Sequence, residues 1–523
     1  MALSARSLIR QGSALSLLTL ASRVLGLLRE MTKAALLGTS ALSDAFSVAF
    51  LIPNLFRRLF AEGSIAAAFI PTFKEYLLEN DRAAIREFLS CICTFLTFFV
   101  SLAVIAGIML APLLVPIFSM EAFDETVFLT RLMFPFLAFI SLAAFFQGIL
   151  NSVNVFAPSG LAPILLNLAA ILCAYALSPL TANPARAMAV GILIGGVLEA
   201  AIQFPFVLKQ GYRFAFTGLR RAIRNRGTRR VLALIGPTIV GMAAYQLNDL
   251  VSTALAGRAG AGVVSSLQYS LRLQELILGV FAVSIGTVLL PDLADHAKRG
   301  RWEAYNERLL QGIHIIALIT VPVTFFSLAQ GETLIRLLFQ TRRFNEESVR
   351  LTLSAFRCHM PGLFFIALNR ILAPAFYAQS DSASPTLAGL LSFGVNILLA
   401  ALLAGPLRGA GIALALSLSS AVNTGLLLIF LRRNARIVLA LPSALGYTLK
   451  LSLFSCAALI PVRLIRPAVT PLFAGQGRLI AQGLPLLLTL IPFAAVGVAL
   501  LIITGDPQVR ALIGLFRKKA SRP

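Results

Sequence analysis

The sequence predicts an all-α protein that crosses a membrane about fourteen times. Of its 523 residues, 58% are hydrophobic and only 13% are charged, about half the charge of an ordinary soluble chain. Apolar runs recur to the end of the chain, each long enough to cross ~30 Å of hydrocarbon as a helix. A membrane β-barrel would instead show short alternating segments.

The predicted spans, in order, are 13–37, 42–71, 88–118, 127–154, 159–179, 186–208, 229–257, 264–292, 308–328, 350–378, 384–403, 407–431, 445–466 and 479–504. The opening MALSARSLIRQGSALSLL has no convincing small-residue cleavage site, so it reads as the start of span one and not as a removed signal. An even count puts both termini on one side. With the termini cytoplasmic, the cytoplasmic segments hold 25 Lys and Arg against nine on the other side. This is the positive-inside pattern. The net charge of +23 therefore reflects topology and attraction to anionic lipid, and the basic 209–230 loop does not need nucleic acid to explain it. The longest loops, 209–230 and 329–349, are too short to hold a domain, so function must sit within the membrane.

The first two spans stand apart. Residues 22–71 read as two apolar helices joined at Gly38-Thr39-Ser40, yet they contain Arg23, Arg29, Glu30, Lys33, Asp44, Arg57, Arg58 and Glu62. A lipid-facing Arg costs about 2.5–3.5 kcal/mol on insertion scales. Several would cost on the order of 10 kcal/mol, as much as a domain's stability. These residues are expected to face a polar cavity, and arginines in a cavity suit an anionic substrate.

An internal repeat organises the rest. Ser64-Ile65 to Pro71 resembles Ser284-Ile285 to Pro291, and Pro135 to Leu142 resembles Pro361 to Leu368. The offsets are 220 and 226, equal to six spans, so the copies keep one orientation, as in two-lobed transporters. The expected organisation is an N-lobe (1–208, spans one to six), a C-lobe (229–431, spans seven to twelve), a C-terminal helix pair (445–504) and a basic tail (505–523).

Arg23 and Glu30, seven apart, share a helix face, and Arg29 lies a third of a turn away. Arg58 and Glu62, four apart, can pair, leaving Arg57 the freer guanidinium. In the second copy Arg272 and Glu275 lie mid-span in span eight, and Arg370 lies in span ten. Guanidinium forks bind phosphate oxygens bidentately, which suits a pyrophosphate. The competing reading is that such Arg–Glu pairs are buried structural ties. Asp44, at the start of span two, could simply cap that helix. Asp249 could hold a cation, a proton or a packing hydrogen bond, and Asp381 could hold a cation or face the cytosol.

Other features carry no chemistry. The cysteines (91, 93, 173, 358, 456) and histidines (296, 314, 359) are scattered, against a metal site. Gly257 to Gly262 lacks the strand–turn–helix setting of a phosphate loop. Asp292 and Asp295 sit in a charge-alternating loop, and no nucleophile–base pair points to an enzyme.

The stretches SRVLGLLRE (22–30), SDAF (43–46), IPNLFRRLFAEG (52–63) and LAPAFYA (372–378) resemble the MurJ (MviN) family of bacterial lipid II flippases, in the multidrug/oligosaccharidyl-lipid/polysaccharide exporter superfamily. The resemblance covers essentially the whole chain. It implies a two-lobed, alternating-access carrier of undecaprenyl-pyrophosphate disaccharide-pentapeptide in the bacterial inner membrane, with both termini cytoplasmic, acting in cell-wall synthesis. It implies Arg23, Arg29, Arg57, Arg272 and Asp44 as substrate-site residues. Glu30, Arg58, Glu62, Glu275 and Arg370 are the expected gating or ion-pair residues. It implies no cofactor, with membrane potential as a drive and the coupling cation left open. Where some members place a sodium-binding aspartate in span seven, this chain has Ser252, with Asp249 one turn earlier. Spans thirteen and fourteen would form a groove for the lipid tail. Partners would be lipid II, membrane lipids and other cell-wall synthesis proteins, and no nucleic acid. The alternatives are another lipid-linked oligosaccharide flippase or a cation-coupled multidrug exporter, which would want carboxylates in its cavity.

Overall fold

The computed structural model describes residues 5–58, 64–434 and 436–510, with side chains described throughout except at 5–16, 64–67, 236–245 and 279–288. Helices occupy each of the fourteen predicted stretches, and the described residues contain no strand. The chain divides into two compact units, residues 1–265 with 341–343, and 266–340 with 344–523.

The first unit contains α1 (Ala5–Leu37), α2 (Ala41–Arg57), α3 (Ser64–Glu79), α4 (Arg82–Leu114), α5 (Phe123–Met133), α6 (Phe136–Ser152), α7 (Ala157–Ala176), α8 (Pro184–Lys209), the short α9 (Leu219–Arg224) and α10 (Arg226–Arg258). The turn between α1 and α2 follows from Gly38-Thr39-Ser40. Gly38 takes φ +62° and its N–H bonds the Ala34 carbonyl at 2.9 Å, a left-handed helix stop that glycine favours. Ser40 then accepts from the Ser43 N–H and caps α2. Helices α7 and α8 approach through Gly191 and Gly195, where an added Cβ would lie 2.9 Å from the Ala170 and Leu166 Cα atoms. This is the small-xxx-small packing of membrane helices. Phe69, Phe73, Phe88 and Phe145 form an aromatic core joining α3, α4 and α6. The basic 209–230 loop is tied down, since Ser90 and Thr94 of α4 accept from the N–H groups of Ala215 and Thr217.

The expected boundary near 208–229 shifts. The division falls at residue 265, so span seven (α10) belongs with the first six. Its anchors are long-range contacts that helical spacing cannot show: Arg230 pairs with Glu75 of α3 at 2.7 Å, and Gly227 sits against Phe88 and Tyr76.

The second unit contains most of α11 (Val263–Lys298), then α12 (Trp302–Phe339), α13 (Glu346–His359), α14 (Gly362–Tyr377), α15 (Ala383–Leu431), α16 (Leu441–Leu472) and α17 (Arg478–Ile503). Spans eleven and twelve are the two halves of α15, broken at Arg408 (φ 49°, ψ −130°) after Gly405-Pro406. Among the described residues, eight helical stretches are long and apolar enough to cross a membrane, and α13 with α14, bent by 46°, makes a ninth. Helix α1 is as long, but Arg23, Arg29, Glu30 and Lys33 interrupt its apolar character.

The repeat is visible as a defect. Span four breaks between Met133 and Phe136 at Pro135, and span ten breaks between His359 and Gly362 at Pro361. Proline removes a helical N–H and frees carbonyls. In span ten carbonyls at the break are collected by other helices: Ser417 donates to Cys358 O at 2.6 Å and Gln274 to His359 O at 2.6 Å, while Thr324 adds a 3.5 Å bond to Met360 O, which also accepts from the Leu363 N–H.

Candidate functional site

In the first unit a polar chain runs through the α1–α2 pair. The Arg29 guanidinium donates to Glu30 at 3.0 Å and lies 5.7 Å from the centre of the Phe50 ring. The other Glu30 oxygen is 3.6 Å from Lys33 Nζ. Lys33 is only 3% exposed. It donates to Ser47 Oγ at 2.9 Å, and that hydroxyl donates to the Ser43 carbonyl at 2.7 Å. The spacing behind this is simple: Arg29 and Lys33 are four apart on α1 and flank Glu30. Lys33 was expected only to face a polar cavity with the other charges of this stretch, although a lysine three residues after a glutamate in an apolar run was a readable signal for pairing.

Asp44 is not the cap of its own helix, a role Ser40 fills. It is 3% exposed, and its two oxygens accept from the backbone N–H groups of Gly262 (2.7 Å) and Ser265 (2.8 Å) at the start of α11. The carboxylate thus satisfies the orphan donors of a helix N-terminus 218 residues away. The resemblance assigned Asp44 to the substrate; here each of its oxygens accepts one backbone N–H.

The remaining expected residues are spread along the chain. Arg57 Nε donates to Asn54 at 2.8 Å. Arg58 reaches span seven, with Asp249 at 3.9 Å and Gln246 at 3.5 Å. Glu62, the partner expected for Arg58, lies outside the described residues. Asp249, expected as a possible cation ligand, has the Arg58 guanidinium beside it. In the second unit Arg272 pairs with Glu275 at 3.2 Å, and Arg370 is exposed on α14. Asp381 accepts from the Ser384 N–H at 3.0 Å in the first turn of α15. Burial opposes its charge, but bonds from the Ser384 side chain and from the Ser384 and Ala383 N–H groups hold its carboxyl below the ordinary range.

Arg23 differs from all of these. It lines a pocket of about 270 Å³ with Ser22, Gln147, Asn151 and Ser159. Among the described residues its guanidinium has no hydrogen bond or ion pair, whereas Arg29, Arg58 and Arg272 each face a carboxylate. No group of three or more His, Cys, Asp or Glu that could hold a metal occurs among the described residues.

The fold and these charged helices define a polytopic α-helical membrane carrier with cations held within its first spans. A family model described as lipid II flippase MurJ matches residues 33–474. The chain is 46% identical over 511 residues to a probable lipid II flippase MurJ of Treponema pallidum, covering 96% of this chain and 97% of that one. It is 33% identical over 431 residues to the lipid II flippase MurJ of Burkholderia cenocepacia, covering 80% and 82%. Among solved structures, a lipid II flippase MurJ in an inward closed conformation superposes with a TM-score of 0.78 at 23% identity, covering 95% of this chain and 99% of that one. A multidrug resistance MATE transporter of the MOP superfamily superposes at 0.69 with 14% identity, covering 79% and 95%, a likeness of fold alone. The chain belongs to the lipid II flippase MurJ family.

Proposed function

We propose that this protein is a transporter, not an enzyme, and moves lipid II across the membrane for cell-wall synthesis. The observation that carries this is the 46% identity over nearly the full length of a relative described as a probable lipid II flippase. The charges agree in sign. Lys33, Arg23 and Arg29 place cations within span one, as an anionic diphosphate requires, whereas a carrier of cationic drugs would want carboxylates. Depletion in growing cells tests the reading: lipid II should accumulate on the cytoplasmic leaflet and cells should lyse. Depletion that changes only drug tolerance would favour a multidrug exporter.

Within this reading Arg23, Arg29, Arg57 and Arg272 bind the diphosphate, with Glu30, Arg58, Glu275 and Arg370 in supporting charge roles. Asp44 acts by fixing the start of α11. Lys33 takes over Glu30 when phosphate claims Arg29. The protein lies in the bacterial inner membrane with both termini cytoplasmic, supported by the lysine and arginine bias. The proposed drive is the membrane potential, worth ~2.3 kcal/mol per charge per 100 mV. A coupling cation at Asp249 would have to displace Arg58.

A further inference from the structure

A cavity of about 360 Å³ lies within the first unit, between α4 and α10, with α3 and α6 closing its back. Two helical stripes form its walls. Phe95, Phe99 and Ala103 recur at one-turn spacing on α4, and Thr228, Leu232 and Ile235 do so on α10, so each set shares one helix face. The two helices meet closely just before the cavity, where a Cβ added to Gly227 would overlap the Phe88 ring. One to two turns farther along they stand apart. Close-packed interiors hold few voids larger than a water, and an apolar cavity less than half this size takes up small apolar molecules. At ~30 Å³ for a water-sized group, this one has room for about ten such groups, a large part of one acyl chain. Phe99 lines it yet is 41% exposed, so it opens sideways, where the bilayer lies.

The polar groups at its end are placed in order. Thr228 is the one polar residue among those lining the cavity. It is fully buried, its N–H bonds the Asn225 side chain, and its hydroxyl has no partner among the described residues. A buried hydroxyl left unmade is costly, which points to an acceptor supplied from outside the chain. Arg229 follows it, exposed, and its guanidinium has no hydrogen bond or ion pair among the described residues. Helical side chains lean toward the N-terminus and long basic ones reach for the surface. From the first turn of α10 inward the order is therefore cation, hydroxyl, hydrocarbon, over the ~9 Å that separates residues 229 and 235. On the proposed topology that first turn lies at the cytoplasmic surface.

We propose that this cavity binds one acyl chain of a glycerophospholipid from the cytoplasmic leaflet, with Thr228 donating to a glycerol-ester carbonyl and Arg229 facing the phosphate. A polyprenyl diphosphate fits less well, because it has no acceptor at the level of the ester and its tail is several times too large. The site lies inside one unit and does not depend on what the carrier moves. The bound chain completes the packing of α10 against α4, the role of a structural lipid.

The test is photolabelling of the purified full-length protein in detergent micelles, titrated with a phosphatidylglycerol that carries a diazirine on one acyl chain. Labelled peptides are identified by mass spectrometry. Leu487 and Ile491, exposed on α17, report loosely held lipid in the same sample. Label on 95–103 and 228–235 should saturate at low probe while label on α17 keeps rising. Half-saturation should rise roughly three- to tenfold in Thr228→Val, return toward wild type in Thr228→Ser, and rise about fivefold in Arg229→Gln. Ala103→Phe fills the cavity and should remove the saturable label, with gel filtration showing a folded protein. Label on both stretches that rises in step with α17 would overturn the proposal, as would wild-type half-saturation in Thr228→Val and Ala103→Phe. A polyprenyl phosphate that displaced the probe at lower concentration than unlabelled phosphatidylglycerol would also overturn it, in favour of a polyprenyl tail.

Discussion

Asp44 separates a structural from a substrate role. Its carboxylate accepts two backbone N–H bonds at 2.7 and 2.8 Å while almost fully buried. A hydrogen bond to a charged group contributes about 1.5–3 kcal/mol, and a buried donor left unmade costs about 1–3 kcal/mol. Asp44→Ala removes both acceptors, so it should cost about 3–5 kcal/mol. Asp44→Asn keeps one oxygen and turns an amide donor toward the other N–H, so it should cost about 2–3 kcal/mol. The assay is unfolding of the purified protein by a denaturing detergent titrated into mild micelles, with the midpoint followed by circular dichroism. Both variants should unfold earlier, alanine more than asparagine, and any loss of transport should follow that order. An unchanged midpoint in Asp44→Ala, together with lost lipid II binding, would refute the capping argument and restore Asp44 to the substrate.

Further expectations follow from single contacts. Arg29→Ala and Arg57→Ala should abolish transport in cells while the protein still inserts, read by complementation beside membrane immunoblotting; full activity of both would remove them from the site. Gly191→Leu should lower the yield of folded protein sharply, because the new side chain meets the Ala170 backbone at once; normal yield would mean that α7 and α8 can separate freely. Asp506, beyond the last span and 1% exposed, feels burial that would raise its carboxyl, but the Lys450 ammonium at 2.9 Å and the Gln508 and Val509 N–H groups outweigh it and hold it below the ordinary range. Its stabilising contribution should therefore be whole above the unfolded value of ~4 and fade as pH falls below it. The melting gap between wild type and Asp506→Asn should hold from pH 7 to about pH 5 and shrink as pH falls below ~4, and a gap that widened there would contradict the sign.

The helices were legible because their signals are local. Apolar length marks the spans, Gly38 and Ser40 mark the first turn, and Gly405-Pro406 marks the break within α15. The prolines at 135 and 361 showed the repeat before either kink was seen. The partners of the charged residues were not legible for the same reason. Spacing exposes only neighbours one turn away, so it could offer Arg58 to Glu62 but could not show that Arg58 reaches Asp249, far along the chain. It offered Asp44 to its own helix, whereas the carboxylate caps another. Which charges meet across helices depends on how each helix is rotated about its axis, and a span apolar almost throughout, such as α17, leaves that rotation almost unmarked. Arg23 shows the converse: that it has no partner among the described residues is visible only in three dimensions.

That contrast bears on how a carrier can hold a diphosphate and still let it go. If Arg29 gives both donors to phosphate, Glu30 loses its partner, and an unpaired buried carboxylate costs about 3–5 kcal/mol. That cost would cancel much of the binding. Lys33 removes the conflict, because its ammonium already lies 3.6 Å from the other Glu30 oxygen and is itself fixed by Ser47. A small shift of Glu30 exchanges one cation for another and leaves no charge stranded. On the proposed reading, release would run the exchange backwards: Glu30 would return to Arg29 and compete with the departing phosphate. An arginine alone would bind too tightly to cycle, and an arginine locked to a single carboxylate would bind too weakly to load. Arg29 between a shared carboxylate and a reserve lysine falls between these limits, and Lys33→Met should remove the reserve, weakening lipid II binding while Arg29 remains in place.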